Sequence, residues 1–81
     1  MITAQHVREV VTSVPFQPFR IITSSGSSYD IRHPEMVMVT RQILYVGIYE
    51  PNRPDIPMRA ASVSMLHVSE LQPLPTPVAA Q

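Results

Sequence analysis

The sequence predicts a mainly β fold of the α+β class, in which one N-terminal helix precedes a small curled antiparallel sheet or barrel of four or five strands. An apolar stripe with helical spacing ends at Pro15. After it, nearly every apolar residue falls in a short alternating run, and turn-forming residues separate the runs. A chain of 81 residues has room for one such domain, which we place at residues 1–72.

The helix is predicted over residues 3–13. Four valines at i, i+3, i+4 and i+7 share one of its faces: Val7, Val10, Val11 and Val14. Thr3 is the expected N-cap, and Pro15 ends the helix because it restricts the residue before it. Valine is a poor helix former, so we expect this stripe to be held by packing against the sheet.

The segment that connects the helix to the first strand contains two aromatic residues, Phe16 and Phe19, next to Pro15 and Pro18. Each proline fixes its own φ, so this segment is expected to set the angle between helix and sheet. We therefore assign Phe16 and Phe19 a structural role. The first strand begins at Phe19 and runs to Thr23.

A Ser-rich turn around Gly26 leads into a second alternating run, which places Tyr29, Ile31 and His33 on one face. Pro34 cannot donate to a ladder, so we expect a bend there. We predict a structural role for His33 and Pro34. In this interpretation His33 is half-buried, and its ring bonds a backbone group that the proline leaves unpaired.

The later strands are predicted at residues 36–39, 43–49 and 59–66, with a short edge element at 67–71. The run at 43–49 is the longest, so it is expected to be central and to bury its tyrosines. Three prolines between residues 51 and 57 predict a large surface loop. Residues 73–81 are expected to form a proline-rich disordered tail.

This order of elements is similar to that of SH3-like and Sm-like barrels. Four segments also resemble a group of short bacterial proteins that share a PFxPFRI, G, HPE and LHI arrangement: Pro15–Ile21, the turn at Gly26, Tyr29–Glu35 and Ser64–Leu71. The resemblance covers residues 3–74, with Ser25-Gly26-Ser27 where an Asp-Gly turn is expected. It implies no activity, because none is known for the group.

Composition excludes several function classes. Six arginines balance six acidic residues, and this neutrality argues against a general binder of polyanions. With no cysteine there is neither a disulfide nor a thiolate metal site, which suits a reducing compartment, so we expect a cytoplasmic protein. We expect no membrane segment, because charged residues or prolines interrupt every apolar run within ten residues.

No set of residues predicts an enzyme, a metal site or a cofactor. The histidines do not have a recognised metal-binding spacing with the nearby acids Glu35 and Glu70. The serines lie in turns or on a polar strand face, without a base held beside them. With only two glycines, the chain has no phosphate-binding loop, and we predict no catalytic residue.

A binding role therefore remains. A domain of this size has a marginal core, so we predict a homo-oligomer or a complex with another protein. The predicted interface residues lie in the long loop and in the short connection before residue 43: Arg53, Ile56, Met58 and Arg41. The alternative is an Sm-like RNA-binding module whose phosphate contacts come from Arg32, Arg41 and Arg59.

Overall fold

The fold is that of a computed structural model, which describes residues 2–75. Over this range the chain forms one helix, six strands and two short 3-10 turns. They are, in order, α1 (Ala4–Thr12), β1 (Phe19–Thr23), β2 (Ser28–Ile31), a 3-10 turn (Pro34–Met36), β3 (Val37–Val39), β4 (Ile43–Ile48), β5 (Arg59–Ser64), a 3-10 turn (Met65–His67) and β6 (Val68–Pro73). The mainly β class and the N-terminal helix are confirmed, but the strands number six rather than four or five.

The strands form two antiparallel sheets. The first sheet has the order β2-β1-β6, and the second sheet has the order β3-β4-β5. The expectation of one curled sheet or a closed barrel is therefore wrong. The 3-10 turn after Pro34 separates β2 from β3, and the turn at Met65–His67 separates β5 from β6. A 3-10 turn bonds to its own segment rather than to a neighbouring strand, so each turn interrupts a ladder where the chain passes between sheets.

The core is built from the inward faces of both sheets and one helix residue. Burial alternates along β1, and in β4 Leu44 and Val46 are buried on either side of Tyr45. The buried apolar side chains are Val7, Phe19, Ile21, Ile31, Val37, Leu44, Val46, Val63, Met65 and Val68. Period-two alternation thus sets which residues of β1 face inward.

The helix begins where the sequence predicts. Thr3 is its N-cap, and the Thr3 hydroxyl accepts a hydrogen bond from the His6 backbone N–H at 3.1 Å. Val7 is fully buried, but the assignment of Val14 to the packed stripe is wrong, because that side chain is 94% exposed. The backbone turns extended at Ser13, two residues before Pro15, so Val14 lies outside the helix.

The segment after the helix contains an aromatic contact. The Phe16 and Phe19 rings meet edge to face, with centroids 6.1 Å apart and planes at 62°. Phe19 is buried, and Phe16 is half-buried against the core. This aromatic pair therefore joins the connection after the helix to the start of β1.

The predicted burial of His33 is wrong. Strand β2 ends at Ile31, so the alternation does not extend two residues further, and the His33 side chain is exposed. Its backbone carbonyl accepts a hydrogen bond from the Met36 N–H at 3.0 Å, which closes the 3-10 turn that Pro34 begins. His33 acts through its backbone here, and its side chain does not cap the turn.

Strand β4 is the centre of the second sheet, as predicted. Its tyrosines do not both enter the core, however, because Tyr45 is 41% exposed on the outward side. Apolar residues occupy both faces of this run, so periodicity alone cannot decide which face is buried. The segment between β4 and β5 is an irregular exposed loop, as its prolines predict.

The C-terminal strand extends through Pro73, which pairs with Phe19, and the Leu74 N–H donates to the Pro18 carbonyl at 3.0 Å. Paired structure thus continues past the predicted domain boundary at residue 72. The rest of the predicted tail, residues 76–81, lies outside the described residues. None of the helices within residues 2–75 has the length and apolar character needed to cross a membrane.

Candidate functional site

The outward side of the second sheet carries large apolar side chains and no charge at its strand positions. Met38 of β3 pairs with Tyr45 of β4, and Tyr45 pairs with Ser62 of β5, so the three form one row across the sheet. Met38 is 63% exposed, and Tyr45 is 41% exposed. We call the outward residues of this sheet the apolar face: Met38, Ile43, Tyr45, Gly47, Ala60, Ser62 and Ser64.

The long loop closes one end of the apolar face. A Cβ atom on Gly47 would lie 3.1 Å from Cε1 of Tyr49 and 3.5 Å from Cβ of Pro57, so both side chains fold over this glycine. Met58 donates its backbone N–H to the Ile48 carbonyl at 2.7 Å. The Met58 side chain is 56% exposed.

The loop itself is held by short local contacts. Arg53 donates its backbone N–H to the Glu50 carbonyl at 3.1 Å, and its guanidinium bonds the Asp55 carboxylate at 3.3 Å. Both side chains of this ion pair are more than half exposed, so the pair adds little to stability. Ile56 follows Asp55 directly in the sequence, and its side chain is exposed beside the Arg53–Asp55 ion pair.

The outward side of the first sheet carries charged side chains in contrast. Arg20 Nε lies 2.7 Å from Asp30 Oδ1 across the β1–β2 ladder, and Arg32 approaches the other carboxylate oxygen at 3.5 Å. The hydrogen bond from Arg20, together with the positive charges of Arg20 and Arg32, holds the pKa of Asp30 below its ordinary value of 3.8, although partial burial opposes the shift. The same pair raises the pKa of Arg20. This surface is suited to contact with water.

A concavity of about 330 Å³ lies between the β1–β2 turn and β5 and is rich in hydroxyl groups. In it, Ser24 Oγ lies 3.4 Å from His67 Nδ1. Sequence reasoning missed this proximity, because 43 residues separate the two. A nucleophilic serine also needs a group that orients its base. Within residues 2–75 no carboxylate bonds His67, so the contact forms no catalytic triad.

A second concavity, of about 400 Å³, separates the 3-10 turn at Pro34 from the long loop. Arg32, Glu35 and Glu50 bring charges of both signs to it, and Tyr49 and Met36 supply apolar surface. No group of three or more histidine or acidic side chains in the described part of the chain has a geometry that could hold a metal ion. The cleft therefore has no feature that selects one ligand class.

The predicted interface residues fall in two places. Arg53, Ile56 and Met58 share the exposed loop after β4, whereas Arg41 is exposed in the turn before β4. The two places lie beyond opposite ends of β4, whose first and last Cα atoms are about 17 Å apart at 3.4 Å per residue. Sequence reasoning found the loop and missed Met38 and Tyr45.

The three arginines predicted for RNA do not form one patch. Arg32 lies next to Asp30, and Arg59 begins β5 opposite Ile48. Arg41 lies beyond the other end of β4. Nucleic-acid binding surfaces usually have clustered positive charges. These three arginines are not clustered, so nucleic-acid binding stays a prediction.

Comparisons with protein-family models, with curated proteins and with solved structures gave no match. The resemblance to the PFxPFRI group therefore stays a prediction.

Proposed function

We propose that this protein is a non-enzymatic assembly module, and that its apolar face packs against the apolar face of a second copy. One observation carries the proposal: Met38 and Tyr45 are exposed side by side on a sheet surface whose strand positions carry no charge. Contiguous exposed apolar surface, especially where polar residues surround it, is typical of interaction sites. Exposed aromatic and methionine side chains are also enriched at interfaces.

Charge favours a second copy as the partner. The chain has no formal net charge, so two copies do not repel each other over long range. Because the apolar face has no ionised group at its strand positions, bringing two such faces together removes no charge from water there. A small domain also gains core-like burial by pairing in this way.

We further propose that the fold is SH3-like or Sm-like in arrangement. Its support is the succession of elements, with β2 continuing into β3 at one corner and β5 continuing into β6 at the other, each through a 3-10 turn. Such a fold hosts many functions, so the argument for assembly depends on the apolar face rather than on the fold. We also propose a cytoplasmic location, which the absence of cysteine supports.

The test compares the same substitution on the two sheets. Tyr45→Lys puts a charge in the middle of the apolar face, and Gln72→Lys puts one on the outward side of the first sheet, opposite Arg20. We expect wild type to self-associate at micromolar concentration in sedimentation velocity. Tyr45→Lys should weaken that association at least about tenfold, which corresponds to about 1.4 kcal/mol, while Gln72→Lys leaves it unchanged.

A wild type that stays monomeric up to about millimolar concentration, where only the weakest specific contacts remain undetected, would contradict the proposal. Equal effects of the two lysine variants would contradict it as well. A titration with short single-stranded RNA at low salt addresses the alternative. Binding that weakens steeply with added salt would favour the nucleic-acid function, because phosphate contacts release counterions.

A further inference from the structure

Strand β5 has an unpaired outer edge without the usual protective features. Within the described residues it pairs with β4 alone, in an unbroken register from Ser64 to Arg59. After Arg59 the strand is Ala-Ala-Ser-Val-Ser, with no charge, no proline and no bulge. Proteins usually protect long free edges with those features, because an open edge is a template for another strand.

One hydrogen bond fixes which backbone groups of β5 face outward. The Met65 N–H donates to the Gln42 carbonyl at 2.8 Å, in line with the β4–β5 register. In an antiparallel ladder every second residue bonds the neighbouring strand and the residues between them point away. Val63 and Ala61 therefore bond to β4. The N–H and C=O groups that point away from β4 are those of Ala60, Ser62 and Ser64.

The other three edges are protected. β2 has four residues, and its Asp30 is engaged by two arginines. β3 has three residues, and α1 packs against it. β6 contains Glu70, its register shifts opposite Ile22, and Pro73 has no N–H to donate. Among the edges that the structure describes, β5 is thus the one best suited to accept a strand.

The space beside β5 is also open. The concavity of about 330 Å³ runs along Ser62 and Ser64, with Ser25 and Ser27 of the β1–β2 turn on its far side. Its walls carry hydroxyl groups, the Val63 side chain and the His67 ring, and no acidic or arginine side chain. An incoming backbone would therefore meet mainly hydrogen-bonding groups, with the β1–β2 turn across the concavity.

We propose that β5 pairs antiparallel with β5 of a second copy, with Ser62 opposite Ser62. Two residues that lie opposite each other in an antiparallel ladder have their side chains on the same face of the sheet. In a two-fold symmetric pair of identical strands, one residue must therefore lie opposite its own copy. In this register the Ser62 residues of the two copies exchange two backbone hydrogen bonds. Ala61 of each copy lies opposite Val63 of the other. This register also leaves Arg59 outside the five paired positions, so no like charges meet.

This inference rests on the proposed function and names a second contact of the same assembly. Pairing through β5 joins the second sheets of the two copies into one six-stranded sheet. The apolar faces of the two copies then lie side by side. The apolar face remains free to pack on another such pair. The two contacts together give a tetramer with two kinds of two-fold interface, which is a common closed symmetry. Either contact alone gives a dimer.

The first test uses proline at matched edge positions. Ser62→Pro removes an outward N–H and no bond to β4. Ser28→Pro is the control, because the Thr23 N–H bond to the Ser27 carbonyl shows by the same alternation that Ser28 points away from β1. In native mass spectrometry we expect wild type and Ser28→Pro at four times the chain mass of 9.1 kDa, and Ser62→Pro at twice that mass.

The second test exploits the absence of cysteine from the chain. Residues opposite each other in a doubly bonded antiparallel pair have Cα atoms about 5.5 Å apart, which a disulfide spans. Under mild oxidation Ser62→Cys should therefore form a cross-linked dimer at least about tenfold faster than Ser28→Cys, since pairing raises the effective thiol concentration. This readout holds even if the proline variant does not fold.

The outcomes separate the two proposals. If Ser62→Pro keeps the wild-type mass, or if both cysteine variants cross-link at the same rate, the edge pairing is wrong. The apolar-face contact still stands in that case, provided that Tyr45→Lys lowers the mass of the assembly. If Tyr45→Lys keeps the full mass while Ser62→Pro lowers it, the apolar-face proposal is the one that fails.

Discussion

The two sheets of this protein bury similar inward faces and differ in what they show to solvent. The first sheet presents a cross-strand ion pair, Arg20 with Asp30, on its outward side. The second sheet presents Met38 beside Tyr45 on its outward side. Sheets that meet water on one side normally alternate apolar inward and polar outward residues, and Met38 and Tyr45 depart from that pattern. This difference is the basis of the proposal that the second sheet packs against a second copy.

The largest expected effect tests whether the inward faces are equivalent. Ile21 of the first sheet and Leu44 of the second are both fully buried. Ile21→Ala and Leu44→Ala should each lower the free energy of unfolding by about 2–5 kcal/mol, through lost burial and the cavity left behind. Urea denaturation of dilute samples measures both.

Met38→Ala is the matched outward control. Its side chain is mostly exposed, so at dilution the change should stay within about 0.5 kcal/mol. A loss below about 1 kcal/mol for either core variant would mean that its sheet does not share the core.

A smaller effect concerns the helix, which lies over both sheets. Val10 lines one shallow cavity with Phe19 and Leu71 of the first sheet, and Arg8 lines another with Val39 of the second. Thr3→Ala removes the N-cap bond and should cost about 1 kcal/mol in unfolding free energy. Thermal unfolding followed by circular dichroism measures this loss.

Thr12→Ala is the control at the other end of the helix. The Thr12 hydroxyl bonds the Arg8 carbonyl within the helix, so this variant loses no cap. Its effect should remain within about 0.5 kcal/mol. Equal losses for the two variants would argue against a specific role of the Thr3 cap.

The smallest expected effect lies on the polar side. Asp30→Asn removes the ion pair with Arg20, whose two side chains are about one third exposed, so solvent screening keeps the loss below about 1 kcal/mol at neutral pH. The pKa of Asp30 is lowered in the folded state, so its contribution is present above the ordinary value of 3.8. It is lost as pH falls through the lower folded-state pKa.

Denaturation of wild type and Asp30→Asn as a function of pH should therefore give curves that converge in acid. A constant separation down to the lowest pH would show that the carboxylate charge is not the source of the difference.

Local sequence patterns predicted much of this fold and little of its candidate site. The N-cap at Thr3 and the alternation in β1 depend on neighbours along the chain, which the sequence displays. The predicted burial of His33 is wrong because the end of a strand depends on its pairing partner. The β1–β2 ladder ends where Phe19 pairs with Ile31, so β2 does not continue to His33. Pairing is a long-range property that periodicity does not contain.

The same limit explains why the apolar face was missed. Residues 43–49 are apolar on both sides, so the alternation identifies two faces without saying which one the core takes. Only the packing of Leu44 and Val46 against the first sheet and the helix turns Tyr45 outward. The free edge of β5 is likewise a property of strand order, which a list of strands cannot give.

A dilution series followed by nuclear magnetic resonance tests the contrast between the two sheets most directly. On dilution from millimolar to low micromolar concentration, we expect the signals of Met38, Tyr45 and Ser62 to change while those of Arg20 and Gln72 stay constant. Spectra that do not change with concentration, or changes confined to the outward side of the first sheet, would contradict the account.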